Sequence, residues 1–205
     1  MPKKILRREP IYIAPDIKGW IDDRNRPCVR DEKNGRDLDP YDIDDKISIY
    51  ERQVKGWFLN PATRFIKGKN NGFIVLMICL SYLEGVEQYR RGESSRGRGR
   101  SREFFVSALN RIYPNSHDLN RYDQDRLEDF YRQARCGLFH NGMTESKVIY
   151  EYSFPNALNF PDNLTIEVNP KLLLQDIRSD FEDYLRALRR NGLLRRKFDR
   201  MYRII

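Results

Sequence analysis

The sequence predicts an all-α protein: a bundle of five to six helices with a small β-hairpin insertion and an irregular N-terminal arm. Three observations predict it. Several segments place apolar residues at i, i+3, i+4 and i+7 spacing, as one face of a helix does. The segments between them are short, so consecutive helices pack as antiparallel neighbours. Only one pair of segments, near 148–152 and 164–168, alternates at period two with β-branched and aromatic residues.

Residues 1–43 are rich in Pro, Asp, Arg and Gly and show little periodicity. They read as an irregular arm with one short strand near 11–13, followed by a helical domain over 44–205. In residues 44–59, Ile47, Tyr50, Val54, Trp57 and Phe58 fall at helical spacing. NPATRFIKGKNNG follows as a connection. Residues 73–89 are the most hydrophobic stretch and predict a central helix. Residues 90–102, RRGESSRGRGRSR, alternate Arg and Gly and lack core residues, so a mobile loop is expected. A short helix over 102–113 presents Phe104, Phe105, Ala108, Leu109 and Ile112, and Pro114 and Asn115 stop it. Asp123 or Asp125 can cap the next helix, whose Leu127, Phe130, Tyr131, Ala134 and Leu138 share a face. Asn141–Gly142 offers a left-handed stop. The hairpin is expected over 147–168. Asn169–Pro170 reads as a cap and first helical residue. Leu173, Leu174, Ile177, Phe181, Tyr184, Leu185 and Leu188 form the next stripe, broken at Gly192 before a last basic helix.

Composition narrows the function. No run approaches the roughly 20 apolar residues that span a membrane, so no membrane role is expected. The basic N-terminus is not followed by an apolar core, so no signal peptide is expected. Three scattered cysteines, Cys28, Cys79 and Cys136, suit neither a disulfide framework nor a zinc site. A reducing cytoplasm fits best. The net charge is +8. Residues 90–102 carry six arginines and one glutamate, and residues 186–203 carry eight basic residues and one aspartate. Two such segments on an otherwise acidic chain suit a polyanion such as nucleic acid.

The motifs of many enzyme classes are missing. There is no Walker or dinucleotide phosphate loop, no His-Glu-x-x-His, no Cys-x-x-Cys and no Gly-x-Ser-x-Gly. The chain has two histidines, and neither sits in a carboxylate–histidine cluster, so no metal or other cofactor is expected. His117, in PNSHDLN, reads as a surface residue.

What remains is RCGLFHNG, residues 135–142, at the end of a helix. Arg135 and His140 stand five positions apart. Histidine ordinarily titrates near pH 6.5 and can exchange protons at neutrality. Arginine keeps its charge, and its planar fork matches phosphate oxygens. The pair suits attack by a ribose 2′-OH on its own 3′-phosphate, without a metal. Such chemistry wants two proton-transfer groups. A two-fold homodimer would supply them by bringing two copies of the pair to one seam. The alternative is local: Arg135 pairs with a neighbouring carboxylate and His140 caps the helix end. Glu84 and Glu87 continue the apolar stripe Phe73, Leu76, Met77, Leu80. Drawn toward the buried side, they need a partner, and Arg135 is a candidate; otherwise the helix end is exposed and both are solvated. Tyr131, one turn before Arg135, can stack on a base or join the core. Cys136 can touch the site or simply be a half-buried thiol. Arg96, Arg98, Arg100 and Arg102 can track an RNA backbone or form a solvated loop.

RCGLFHNG at the end of an amphipathic helix resembles the HEPN domains, whose ribonuclease branch carries Arg, four to six residues, then His. The resemblance covers roughly residues 44–190 in architecture and Arg135 to His140 in motif. It implies a helical bundle, a homodimer, metal-independent cleavage of RNA at the dimer seam, and roles in toxin–antitoxin, abortive-infection or antiviral systems, with an antitoxin protein as a further partner. Arg135 and His140 become the catalytic pair. Many active members carry Asn, Asp or His directly after the arginine. This sequence has Cys136 there, and Asn141 follows the histidine as a possible polar substitute. Non-catalytic members of the family act as binding or scaffolding modules, which keeps a nucleic-acid- or protein-binding module as the second reading.

Overall fold

The computed structural model describes residues 3–68, 70–114 and 124–204. Asn115, His117 and Asp123, singled out above, lie outside the described residues. The chain divides into two compact units. The first takes residues 1–61, 89–94 and 182–205; the second takes residues 62–88 and 95–181.

The first unit corrects the all-α expectation. Strands β2 (Ile11–Ala14), β3 (Ile17–Ile21), β4 (Pro27–Asp31) and β5 (Arg36–Leu38) form an antiparallel sheet in the order 2-3-4-5. The expected irregular arm is therefore largely a sheet. Its Asp-, Asn- and Gly-rich composition marks tight turns. Asp16 and Asn25 have φ of 58° and 57°, and Gly35 has 66°. Those left-handed positions are ones that Asp, Asn and Gly tolerate. Each strand is too short for alternation to stand out, yet Ile13, Ile17, Val29 and Leu38 all point inward and are buried.

Asp42 caps α1 (Ile43–Gln53), its carboxylate accepting the Asp44 and Asp45 N–H groups at 2.9 Å. The helix then widens into a first π-helical stretch (Val54–Leu59) before α2 (Asn60–Phe65). The i→i+5 bonding breaks the 3.6-residue period. This is why Trp57 and Phe58, expected in the core, are 39% and 46% exposed while Leu59 is buried. At the other end of the chain, Asn191 caps α7 (Gly192–Met201) through the Leu193 and Leu194 N–H groups, and β9 (Arg203–Ile204) runs parallel to β1 (Lys3–Lys4). The rings of Tyr50, Tyr89, Phe198 and Tyr202 cluster, with Phe198 and Tyr202 stacked at 5.1 Å.

Asp31 ties the sheet to α1. Its two oxygens accept Arg52 Nη1 and Nη2 at 2.8 Å each, and it also accepts the Lys33 N–H and the Asn34 side-chain amide. Burial alone would raise its carboxyl, but Arg52 and Asn34 hold it below the usual carboxylate range. A carboxylate whose folded pKa lies below its unfolded value, about 3.9, stabilises the fold above that pH and loses the effect as pH falls through the folded value. Asp31→Asn is expected to cost about 2 kcal/mol at neutral pH and to flatten the acid limb of stability. Urea unfolding of both proteins from pH 7 to pH 2 measures this; parallel curves would contradict it.

In the second unit, α3 (Gly72–Arg91) buries Val75, Leu76, Cys79, Leu80, Leu83 and Val86. α4 (Arg100–Ile112) contributes Phe104, Phe105 and Leu109. α5 (Gln124–Phe130) runs without a break into a second π-helical stretch (Tyr131–Asn141), ending at Gly142 with φ of 75°. The expected hairpin is instead a three-stranded mixed sheet. β6 (Val148–Tyr150) lies parallel to β8 (Ile166–Val168), and β7 (Leu158–Asn159) pairs antiparallel with β8. The intervening chain is long enough for a parallel crossover, and it supplies β7 itself. Buried Asn169 caps α6 (Pro170–Arg190) through the Lys171 and Leu172 N–H groups. Among the described residues no helix is long and apolar enough to cross a membrane.

Candidate active site

The site lies in the second unit, where the π-helical stretch meets α3 and the start of α4. Residues five apart on an α-helix point about 140° away from each other. With i→i+5 bonding the turn is wider and the angle between them is smaller. Arg135 and His140 both fall within the second π-helical stretch, which brings them closer around the axis than a regular α-helix would.

Glu84 organises the rest. Its Oε2 accepts Arg135 Nη2 at 2.9 Å and the Ser101 hydroxyl at 2.6 Å; its Oε1 accepts the Ser95 hydroxyl at 2.6 Å. The Tyr131 hydroxyl donates to Ser101 Oγ at 2.9 Å. Burial would raise the Glu84 carboxyl, but the bonds from Ser101 and Ser95 and the charge of Arg135 hold it below the usual range. It is thus ionised at neutral pH and fixes one end of the guanidinium. Burial raises the Tyr131 phenol, which stays protonated and able to donate. The guanidinium lies 4.9 Å from the Phe139 ring centre and 5.6 Å from that of Tyr131. The Arg135 side chain is 21% exposed and that of Glu84 15%. The Arg135 Nη1 and Nε have no hydrogen-bond partner among the described residues, so two donors remain for an anion.

His140 is exposed, and its imidazole makes no hydrogen bond or ion pair among the described residues. Asn141 is exposed and donates to Glu145 Oε1 at 3.2 Å. Cys136 is half-buried. Glu87 is not part of the site. It is buried, accepts the Ser107 hydroxyl at 3.0 Å, and pairs with Arg111, which also bridges to Asp180. Neither glutamate is solvated, and only Glu84 reaches Arg135.

The expected mobile loop over 90–102 is held to one carboxylate through Ser95 and Ser101. Arg96, Arg98 and Arg102 are exposed and Arg100 half-buried. Arg102 pairs with Glu128 at 2.9 Å, and Arg100 lies over the Phe104 ring. The two serines are the site residues that sequence reasoning missed. Their only signal was to be hydroxyls flanking an arginine–glycine run. Beside Tyr131 and Cys136 opens a groove of about 620 Å³, where Arg102, Arg126 and Arg132 are balanced by Asp125, Glu128, Asp129 and Asp162. Among the described residues no three His, Cys, Asp or Glu side chains gather as a metal ion would need.

Comparison with protein-family models, curated proteins and solved structures finds no match to this chain.

The register of the site depends on Gly137. A Cβ there would lie 2.7 Å from the Met143 carbonyl oxygen and 3.1 Å from the Glu145 nitrogen, both backbone atoms. That turn is tied back by the Glu145 N–H to the Gln133 carbonyl at 2.8 Å. Gly137→Ala is expected to cost about 1–3 kcal/mol, as overpacking does. Gly85, on α3, meets nothing within 4 Å, and Gly85→Ala is expected to gain roughly 0.5–1 kcal/mol. Thermal melts of the two variants should move in opposite directions; equal shifts would contradict the close packing at Gly137.

Proposed function

We propose that this protein is a metal-independent endoribonuclease of the HEPN type, acting as a homodimer. The reading is supported above all by the π-helical register of Arg135 and His140, with Glu84 holding the arginine and leaving two of its donors open. His140 takes the proton of a ribose 2′-OH. The 2′-oxygen attacks the adjacent phosphorus, and Arg135 stabilises the charge of the crowded phosphorane. The P–O5′ bond breaks, and the leaving 5′-oxygen takes a proton from the His140 of the second subunit. The products are a 2′,3′-cyclic phosphate and a 5′-hydroxyl. A cytoplasmic role in prokaryotic defence or a toxin–antitoxin system, with an antitoxin protein as partner, completes the proposal.

A second reading has one observation in its favour. Arg135 is already committed to Glu84, as a structural ion pair would be, and His140 makes no hydrogen bond or ion pair among the described residues. In that case the same face is a binding module for nucleic acid or protein.

An RNA substrate and the same oligonucleotide with 2′-deoxy sugars separate the two. The ribonuclease cleaves the first to cyclic-phosphate ends and leaves the second intact. Cleavage of both would exclude the 2′-OH mechanism; binding without cleavage of either would favour the module.

A further inference from the structure

The charge of the protein is concentrated in one unit. The first unit holds 23 basic and 16 acidic residues, net +7; the second holds 15 and 14, net +1. Within the first unit, residues 89–94 and 182–205 carry ten basic and four acidic residues, so they supply +6.

Much of this charge is not used to hold the fold. Arg195 pairs with Asp44 at 2.6 Å, and Asp199 pairs with Lys46 at 2.7 Å, which fastens α7 to α1. Arg189 pairs with Glu51, and Arg186 with Asp183. Arg190, Arg196, Lys197, Arg200 and Arg203 make no side-chain hydrogen bond or ion pair among the described residues. Arg196 and Arg200 stand one turn apart on α7 and are exposed, and Arg203 is exposed on β9. The Arg/Gly-rich segment, which the sequence made the first choice for RNA, is more heavily spent: Arg102 pairs with Glu128 and Arg100 covers Phe104.

We propose that the outer face of α7 with β9, carrying Arg196, Arg200 and Arg203, is a docking surface for the phosphate backbone of single-stranded RNA. The inference rests on the ribonuclease reading only for the identity of the polyanion. Several unpaired arginines along one helix and strand match a repeating line of phosphates. An anionic membrane fits less well. A helix lying on a bilayer needs a broad apolar face to insert; on α7 Leu193 is 56% exposed, but Phe198 and Met201 are 0% and 1% exposed within the first unit.

The test uses His140→Ala protein as parent, so that cleavage does not disturb binding. Fluorescence anisotropy with a fluorescein-labelled poly(U) oligonucleotide is recorded over a range of KCl. In the parent, the triple variant Arg196→Gln/Arg200→Gln/Arg203→Gln is expected to weaken binding about tenfold or more at low salt. It should also flatten the slope of log K against log salt by about 2, as three lost phosphate contacts on a single strand predict. The Arg→Glu triple should weaken binding further, and far-UV circular dichroism should match the parent for both. Unchanged affinity and slope would overturn the proposal, as would a parent that binds phosphatidylserine vesicles but not poly(U). Cleavage by wild type is scored separately. Cleavage with an unaffected triple variant rejects the surface alone. Binding lost in the triple variant, without cleavage by wild type, rejects the ribonuclease reading alone.

Discussion

Replacing His140 with alanine is expected to leave the melting temperature unchanged and to lower RNA cleavage by about 10²–10⁴-fold. The stability half follows from its surroundings. His140 is exposed and its ring contacts no described partner, and substitutions at such positions usually fall within about 0.5 kcal/mol. The activity half follows from its chemistry. A positioned acid–base group contributes about 10²–10⁴-fold, and this side chain has no hydrogen bond or ion pair among the described residues that would give it a structural task. Thermal melts and single-turnover cleavage of the same preparations check both halves. A histidine that merely capped the helix would show the reverse, a lower melting temperature with the cleavage rate intact.

Glu84→Ala is expected to damage fold and activity together. The carboxylate accepts three donors, from Arg135, Ser95 and Ser101. Removing it leaves a partly buried guanidinium and two hydroxyls without an acceptor. Breaking a fully buried pair costs about 3–5 kcal/mol. Arg135 retains some contact with water, so about 3 kcal/mol is the expected loss, or roughly 10 °C in melting temperature for a chain of this size. Cleavage should fall about 100-fold in kcat, as displacement of a positioned group does, with KM little changed. Glu84→Gln keeps the shape and an acceptor oxygen but loses the charge, so its melting temperature should lie between wild type and Glu84→Ala. A Glu84→Ala protein as stable as wild type would mean that the three bonds contribute nothing to holding Arg135.

Helices were legible where packing follows a 3.6-residue period. The 73–89 expectation became Gly72–Arg91, and the signals at Gly142 and Asn169 became a left-handed stop and a cap. Of the first-unit sheet only the strand near 11–13 was legible, and it became β2 (Ile11–Ala14). The strands of that sheet are three to five residues long and separated by the turn residues that gave the arm its irregular composition. The π-helical stretches were invisible for a related reason: a test for one period cannot see a local change of period. That blindness misplaced Trp57 and Phe58. The parallel pairing of β6 and β8 depends on the path of the intervening chain, which strand alternation does not encode. At the candidate site, the α3 stripe pointed to Glu84 as a partner for Arg135. Glu87, three residues on, went to Arg111 instead, because α4 presents that arginine. Ser95 and Ser101 come from a segment without periodicity, and only the folded chain reveals what they hold.

The most direct test of the central claim is cleavage of total RNA and tRNA by purified protein in excess EDTA, beside Arg135→Ala and His140→Ala. The account predicts fragments ending in 2′,3′-cyclic phosphate from wild type and none from either variant. A folded wild-type protein that leaves the RNA intact, or variants that cut as well as wild type, would contradict it.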